Sequence, residues 1–169
     1  QTPYKTMGGE TRYKATIYWS GFWSQGDGAC FEGTWRAGDI KLEKLKEYAP
    51  QDKELQRIGE QLAELAVKYP DGSFRVKHRG HYSHSGCTSF DVELPNDQEQ
   101  ELEYDSPEYK ALQVELGEDE DSLIELARDY MNWIYQRLEA DWEWQNADEQ
   151  VDENIRANEY EFLEDGQLA

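Results

Sequence analysis

Residues 73–94, SFRVKHRGHYSHSGCTSFDVEL, decide how this chain folds. Phe74, Val76, His78 and Tyr82 alternate with Arg75, Lys77, Arg79 and His81. That two-residue period predicts a strand over 73–84 with one face turned inward. Ser85-Gly86 is turn chemistry. Thr88–Leu94 then resumes as a second strand, with Phe90, Val92 and Leu94 inward. The stretch reads as an antiparallel hairpin.

Before this hairpin the period changes to a helix. Leu55, Ile58, Leu62, Leu65, Ala66 and Tyr69 form one stripe, closed by the turn Pro70-Asp71-Gly72. Pro50 is expected in the first turn of that helix. A shorter helix precedes it, opening at Gly38-Asp39 with Asp39 as N-cap and Ile40, Leu42, Leu45 and Tyr48 as a partial stripe. Further upstream, Tyr13, Ala15, Ile17 and Trp19 lie on one face of a strand over 12–23. The Ser24–Gly28 turn leads into a strand over 30–36, which makes an earlier hairpin. Residues 1–10 are expected as a disordered lead-in.

After the second hairpin the chain becomes helical and acidic. A short helix is expected over 107–116, ending at Gly117. Ser122 to Glu125 reads as a capping box that opens a new helix. Leu123, Leu126, Ala127, Tyr130, Ile134 and Leu138 form its stripe, and Met131, Trp133, Tyr135, Trp142 and Trp144 widen it. A further helix follows over 148–158, and Tyr160-Glu161-Phe162 is expected as a short strand. Strands in hairpins and helices in pairs predict an α+β fold: a small antiparallel sheet from two hairpins packed against paired helices. Residues 11–169 read as one domain whose acidic helical half begins near 106.

Charge is divided along the chain. Residues 1–90 hold 11 acids and 13 bases, a net of +2; residues 91–169 hold 26 acids and 4 bases, a net of −22. Such a half repels nucleic acid and membrane surfaces and attracts basic proteins. A basic or DNA-binding protein is therefore the expected partner, with no direct nucleic-acid contact. No run of about 18 apolar residues suggests a membrane span. The two cysteines do not form a disulfide framework, and a reducing cytoplasm is the simpler expectation. The start at Gln1 leads us to expect further residues before it.

The partner-facing candidates are Glu139, Asp141, Glu143, Asp148, Glu149, Asp152 and Glu153, with Trp142 and Trp144 as possible aromatic anchors. Carboxylates repeated along a helix can imitate duplex phosphates. Ser24, Gln25, Asp27 and Cys30 form a loop of unassigned role, which lacks any dinucleotide or phosphate-loop fingerprint. His78, His81, His84 and Cys87 invite a metal reading. Strand geometry opposes it, because a separation of three puts His78 and His81 on opposite faces. No cofactor is expected. A small metal-dependent or hydrolytic enzyme centred on Asp27, Cys30 and these histidines is the alternative.

The stretch 20–33, SGFWSQGDGACFEG, together with 48–52 (YAPQD), 78–82 (HRGHY) and 156–162 (RANEYEF), resembles a family of small acidic proteins carried by phages, prophages and plasmids. Its members are loosely labelled antitoxin-like. The resemblance covers roughly residues 12–165 and implies a mobile-element accessory protein in a bacterial host. It implies no catalytic residue.

Overall fold

The computed structural model describes residues 4–5, 11–12, 16–39, 41–164 and 166–167. Two compact units divide the chain, Gln1–Tyr135 and Gln136–Ala169. The fold is α+β. In the first unit, β1 (Tyr4–Lys5) pairs antiparallel with β2 (Thr11–Arg12). Strand pairing thus occurs within the segment expected as a lead-in; Tyr13, Ala15 and Ile40 lie outside the described residues.

Four strands make the main sheet: β3 (Thr16–Trp19), β4 (Ala29–Arg36), β5 (Ser73–His78) and β6 (Thr88–Glu93). They lie in chain order, all antiparallel, so the two expected hairpins sit side by side. Register sets Trp35 opposite Phe74 and Phe74 opposite Val92, aligning large apolar side chains on one face. The opposite face carries Arg75 across from Asp91.

Helices α1 (Leu42–Tyr48) and α2 (Lys53–Lys68) connect the hairpins. Asp39 does not cap α1. It ends a 3₁₀ turn, Ala37–Asp39, where its carboxylate accepts from the Arg36 N–H, and the residue before α1 is Lys41. Pro50 does not enter the first turn of α2. Asp52 caps that helix by accepting from the Leu55 N–H at 3.0 Å, and the Pro50 carbonyl accepts from Gln56 Nε2. A carboxylate at the N-cap satisfies an orphan donor, which proline cannot do.

β5 stops at His78, short of the expected His84. The Glu32 carboxylate takes the His78 N–H at 2.9 Å, and Gly80 turns the chain at φ +89°. Tyr82 is consequently exposed and not on the inner face. A 3₁₀ turn, Ser85–Cys87, leads into β6.

A short helix, α3 (Gln98–Glu101), follows β6. The next helix, α4 (Pro107–Gln145), is continuous and does not end at Gly117. Ser122 caps nothing; its hydroxyl donates back to the Glu118 carbonyl at 2.8 Å, a bond available only inside a helix already running. Leu123, Leu126, Ala127 and Met131 from α4 join Ile58 and Leu62 from α2 over Phe31, Phe74 and Val76 of the sheet, and this is the core of the first unit. The Arg128 guanidinium lies over the Phe90 ring.

The second unit holds the end of α4 and α5 (Asp148–Ala157), which has no buried residue. At Tyr160–Phe162 the expected strand is reduced to an isolated bridge at Phe162.

Candidate functional site

Three groups of side chains are candidates for function. The first lies where β4 and β5 part. Tyr18 donates to one oxygen of Glu32 at 2.7 Å, and the His78 N–H occupies the other. The Tyr18 and His78 rings stack with centroids 4.6 Å apart, and His78 Nε2 meets the Tyr82 carbonyl at 2.8 Å. The bond from Tyr18 holds the Glu32 carboxyl below its ordinary value despite burial, and the same bond raises the Tyr18 phenol. Glu32 is thus an ionised bracket between strands. Nothing in its spacing announced this role.

The two loops flanking this bracket touch. A Cβ on Gly26 would strike the Tyr82 ring, and one on Gly28 would come within 2.6 Å of His84 Cα. The loop around Asp27 and the loop holding the histidines are therefore brought together, as the sequence could not show. Asp27 and His84 each form polar bonds within their own loop. Asp27 accepts from the backbone N–H groups of Trp23 and Ser24, both at 2.7 Å. Those bonds, Ser24 first, hold its carboxyl below the usual range. An acid so committed is a weak proton acceptor. Gln25 is exposed. His84 Nδ1 accepts from the Gly86 N–H at 3.0 Å, its Nε2 meets Cys87 Sγ at 3.5 Å, and His81 stands edge-on to Tyr82. Among the described residues, no three His, Cys, Asp or Glu side chains converge as metal ligands.

The second group braces α2 to α4. Lys68 pairs with Glu115 and Asp119, Tyr69 donates to Asp119 at 2.6 Å, and Arg57 pairs with Glu54 and Asp129. A polar cleft of about 430 Å³ runs between these helices, lined by Arg57, Lys68, Asp119, Glu125 and Asp129. Arg57 and Lys68 are thus paired with acids of their own unit.

The third group is the acidic segment of the second unit. Residues 136–169 hold eleven acids and two bases, a net of −9. Among the described residues, Glu139, Asp141, Glu143, Asp148, Glu149 and Glu153 take part in no ion pair, and Asp152 pairs with Arg156 of its own helix. On α5 the pairs Asp148/Asp152 and Glu149/Glu153 fall at i,i+4 and share one side, each pair rising about 6 Å along the axis. Val151 and Ile155 flank this side, each an i,i+3 neighbour of Asp148 or Asp152. At the end of α4 the acids divide: Glu139 and Glu143 share a face, while Asp141 turns away to the side of Trp144. Trp144 is 62% exposed, and Trp142 is half-buried.

The model of a family described as a domain of unknown function, DUF8835, matches residues 3–148. The chain belongs to this family. No curated protein and no solved structure matches the chain. The matched span covers the sheet, both touching loops and α4 with Glu139–Trp144; Glu149, Asp152 and Glu153 lie beyond it. No helix among the described residues is long and apolar enough to cross a membrane.

Proposed function

We propose that this protein works by binding a basic, DNA-binding protein of a bacterial host through the carboxylates of residues 139–153. The observation that carries this reading is the contrast between the two acidic groups. Glu115, Asp119 and Asp129 on the first part of α4 pair with Lys68 and Arg57 of α2, whereas among the described residues from Glu139 to Glu153 only Asp152 pairs with a base, Arg156 of its own helix. Uncompensated carboxylates on helical surface cost self-repulsion, and a basic partner relieves it. Rows at i,i+4 on α5 place negative charge at intervals a DNA-binding groove can accept, so the protein competes with the phosphate backbone in the manner of a duplex mimic. The resemblance to mobile-element proteins supports a counter-defence role in the host cytoplasm.

The test is capture from bacterial lysate on immobilised protein, comparing the wild type with Glu149→Gln/Asp152→Asn/Glu153→Gln and with a variant also neutralised at Glu139, Asp141 and Glu143. Stepwise loss of one retained DNA-binding protein is expected. Equal retention by all three defeats the proposal.

A second reading, an antitoxin-like partner of one specific protein, is favoured by Trp144, whose exposed indole sits beside Asp141. It predicts that the aromatic anchor outweighs total charge.

A further inference from the structure

Cys87 has the surroundings of a reactive thiol. It is partly exposed and ends the 3₁₀ turn that leads into β6. The Arg79 backbone N–H donates to the Cys87 carbonyl at 2.7 Å, one rung beyond the His78–Thr88 pair, while the Arg79 guanidinium donates to Ser89 Oγ at 2.8 Å. His84 completes the site. Its Nδ1 accepts from the Gly86 N–H, which leaves the proton on Nε2, and Nε2 faces the Cys87 sulfur at 3.5 Å. A partly exposed sulfur that faces an imidazole N–H is a setting in which a thiol meets electrophiles. Cys30 is the opposite case. It is fully buried, and burial first, then the neighbouring Cys87 thiol, push it up to about 11. The backbones at Gly28, two residues before Cys30, and His84, three residues before Cys87, are in contact. The two sulfurs are thus carried on segments already pressed together.

We propose that Cys87 is a site of oxidation by hydroperoxides, with Cys30 as the thiol that resolves it to an intramolecular disulfide. In the first step the Cys87 sulfur attacks the terminal peroxide oxygen. The O–O bond breaks, Cys87 becomes a sulfenic acid, and water or an alcohol leaves with the thiol proton. The peroxide takes two electrons from sulfur. In the second step the Cys30 sulfur attacks the Cys87 sulfur, the S–S bond forms, and hydroxide leaves with the Cys30 proton as water. Because Cys30 is held as a buried thiol, this second step is the slower one, and the sulfenic acid has time to be trapped. The bridge would tie the histidine loop to β4, next to the Tyr18–Glu32–His78 bracket.

The experiment treats the full folded chain with hydrogen peroxide, with and without dimedone, and maps both cysteines by peptide mass spectrometry. Dimedone is expected on Cys87 and not on Cys30. Without it, a Cys30–Cys87 linked peptide lacking two hydrogens accumulates. Cys30→Ser keeps the dimedone adduct and loses the link. His84→Gln, checked for a native circular-dichroism spectrum, slows oxidation of Cys87 about tenfold. If His84→Gln unfolds, the Cys30→Ser and wild-type mapping still decides. Dimedone on Cys30 first, no adduct on either sulfur, or links only between separate chains would each overturn the proposal.

Discussion

Asp52 and Trp133 meet between α2 and α4: the indole Nε1 donates to one carboxylate oxygen at 2.9 Å while the other oxygen caps α2 through the Leu55 N–H. One side chain thereby starts a helix and fixes the long helix beside it. Asp52→Ala removes the cap and strands an indole donor, and is expected to destabilise the protein by about 1–3 kcal/mol. Asp52→Asn keeps one acceptor and loses less. Urea unfolding of both variants checks this ordering, and equal losses would contradict the double role.

Two glycines make opposite predictions. Gly117 lies inside α4 with open space around it. Gly117→Ala should therefore stabilise by about 0.5–1 kcal/mol, as expected for an exposed helix interior. Gly28→Ala would drive a Cβ into the His84 backbone and should destabilise by about 1–3 kcal/mol. Thermal midpoints measured side by side decide. A loss at Gly117 would mean that the helix ends there after all.

The α2–α4 brace sets the behaviour at both ends of the pH scale. Burial pushes the Asp119 carboxyl up, but the bonds from Lys68 and Tyr69 outweigh it and hold the group below its ordinary value. A lowered acid contributes stability that is present above the unfolded value, about 4 for aspartate, and lost as pH falls through the folded one. Tyr69 is raised to about 12, by burial first and then by Asp119. Its contribution is present below about 10 and lost as pH rises toward 12. Asp119→Asn should flatten the acid limb of stability against pH, and Tyr69→Phe the alkaline limb. Urea midpoints across pH for the two variants and the wild type make the comparison.

Trp144 separates the two binding readings. If charge dominates, Trp144→Ala weakens capture of the partner far less than neutralising Glu149, Asp152 and Glu153. If a specific anchor dominates, the tryptophan variant loses more, by about 2 kcal/mol or above. Titration of the isolated complex, at one salt concentration for all variants, gives the order.

Much of the fold could be read from periodicity. Phe74 and Val76, Phe90 and Val92, and the stripe Leu55, Ile58, Leu62 occupy the faces their spacing predicts, because burial of a shared apolar face governs both sheet and helix. The helix break at Gly117 could not be read correctly. A glycine in a helix interior costs only about 1 kcal/mol, less than the packing of Leu112, Leu123 and Leu126 on either side supplies. Ser122 misled for a related reason: a hydroxyl that can cap a helix can also bond back within one. At the candidate sites, the charge imbalance was legible because it is compositional. The apposition of Gly28 with His84, and the bracket at Glu32, depend on residues far apart in the chain that no local pattern joins.

In the proposed function the acids of residues 139–153 occupy a surface the partner uses for nucleic acid. The most direct measurement is displacement: the protein retained from lysate is challenged with short duplex DNA of unrelated sequence, at fixed salt. Release of the partner by duplex, together with weaker retention as salt rises, is the predicted result. Retention unchanged by both duplex and salt would contradict it.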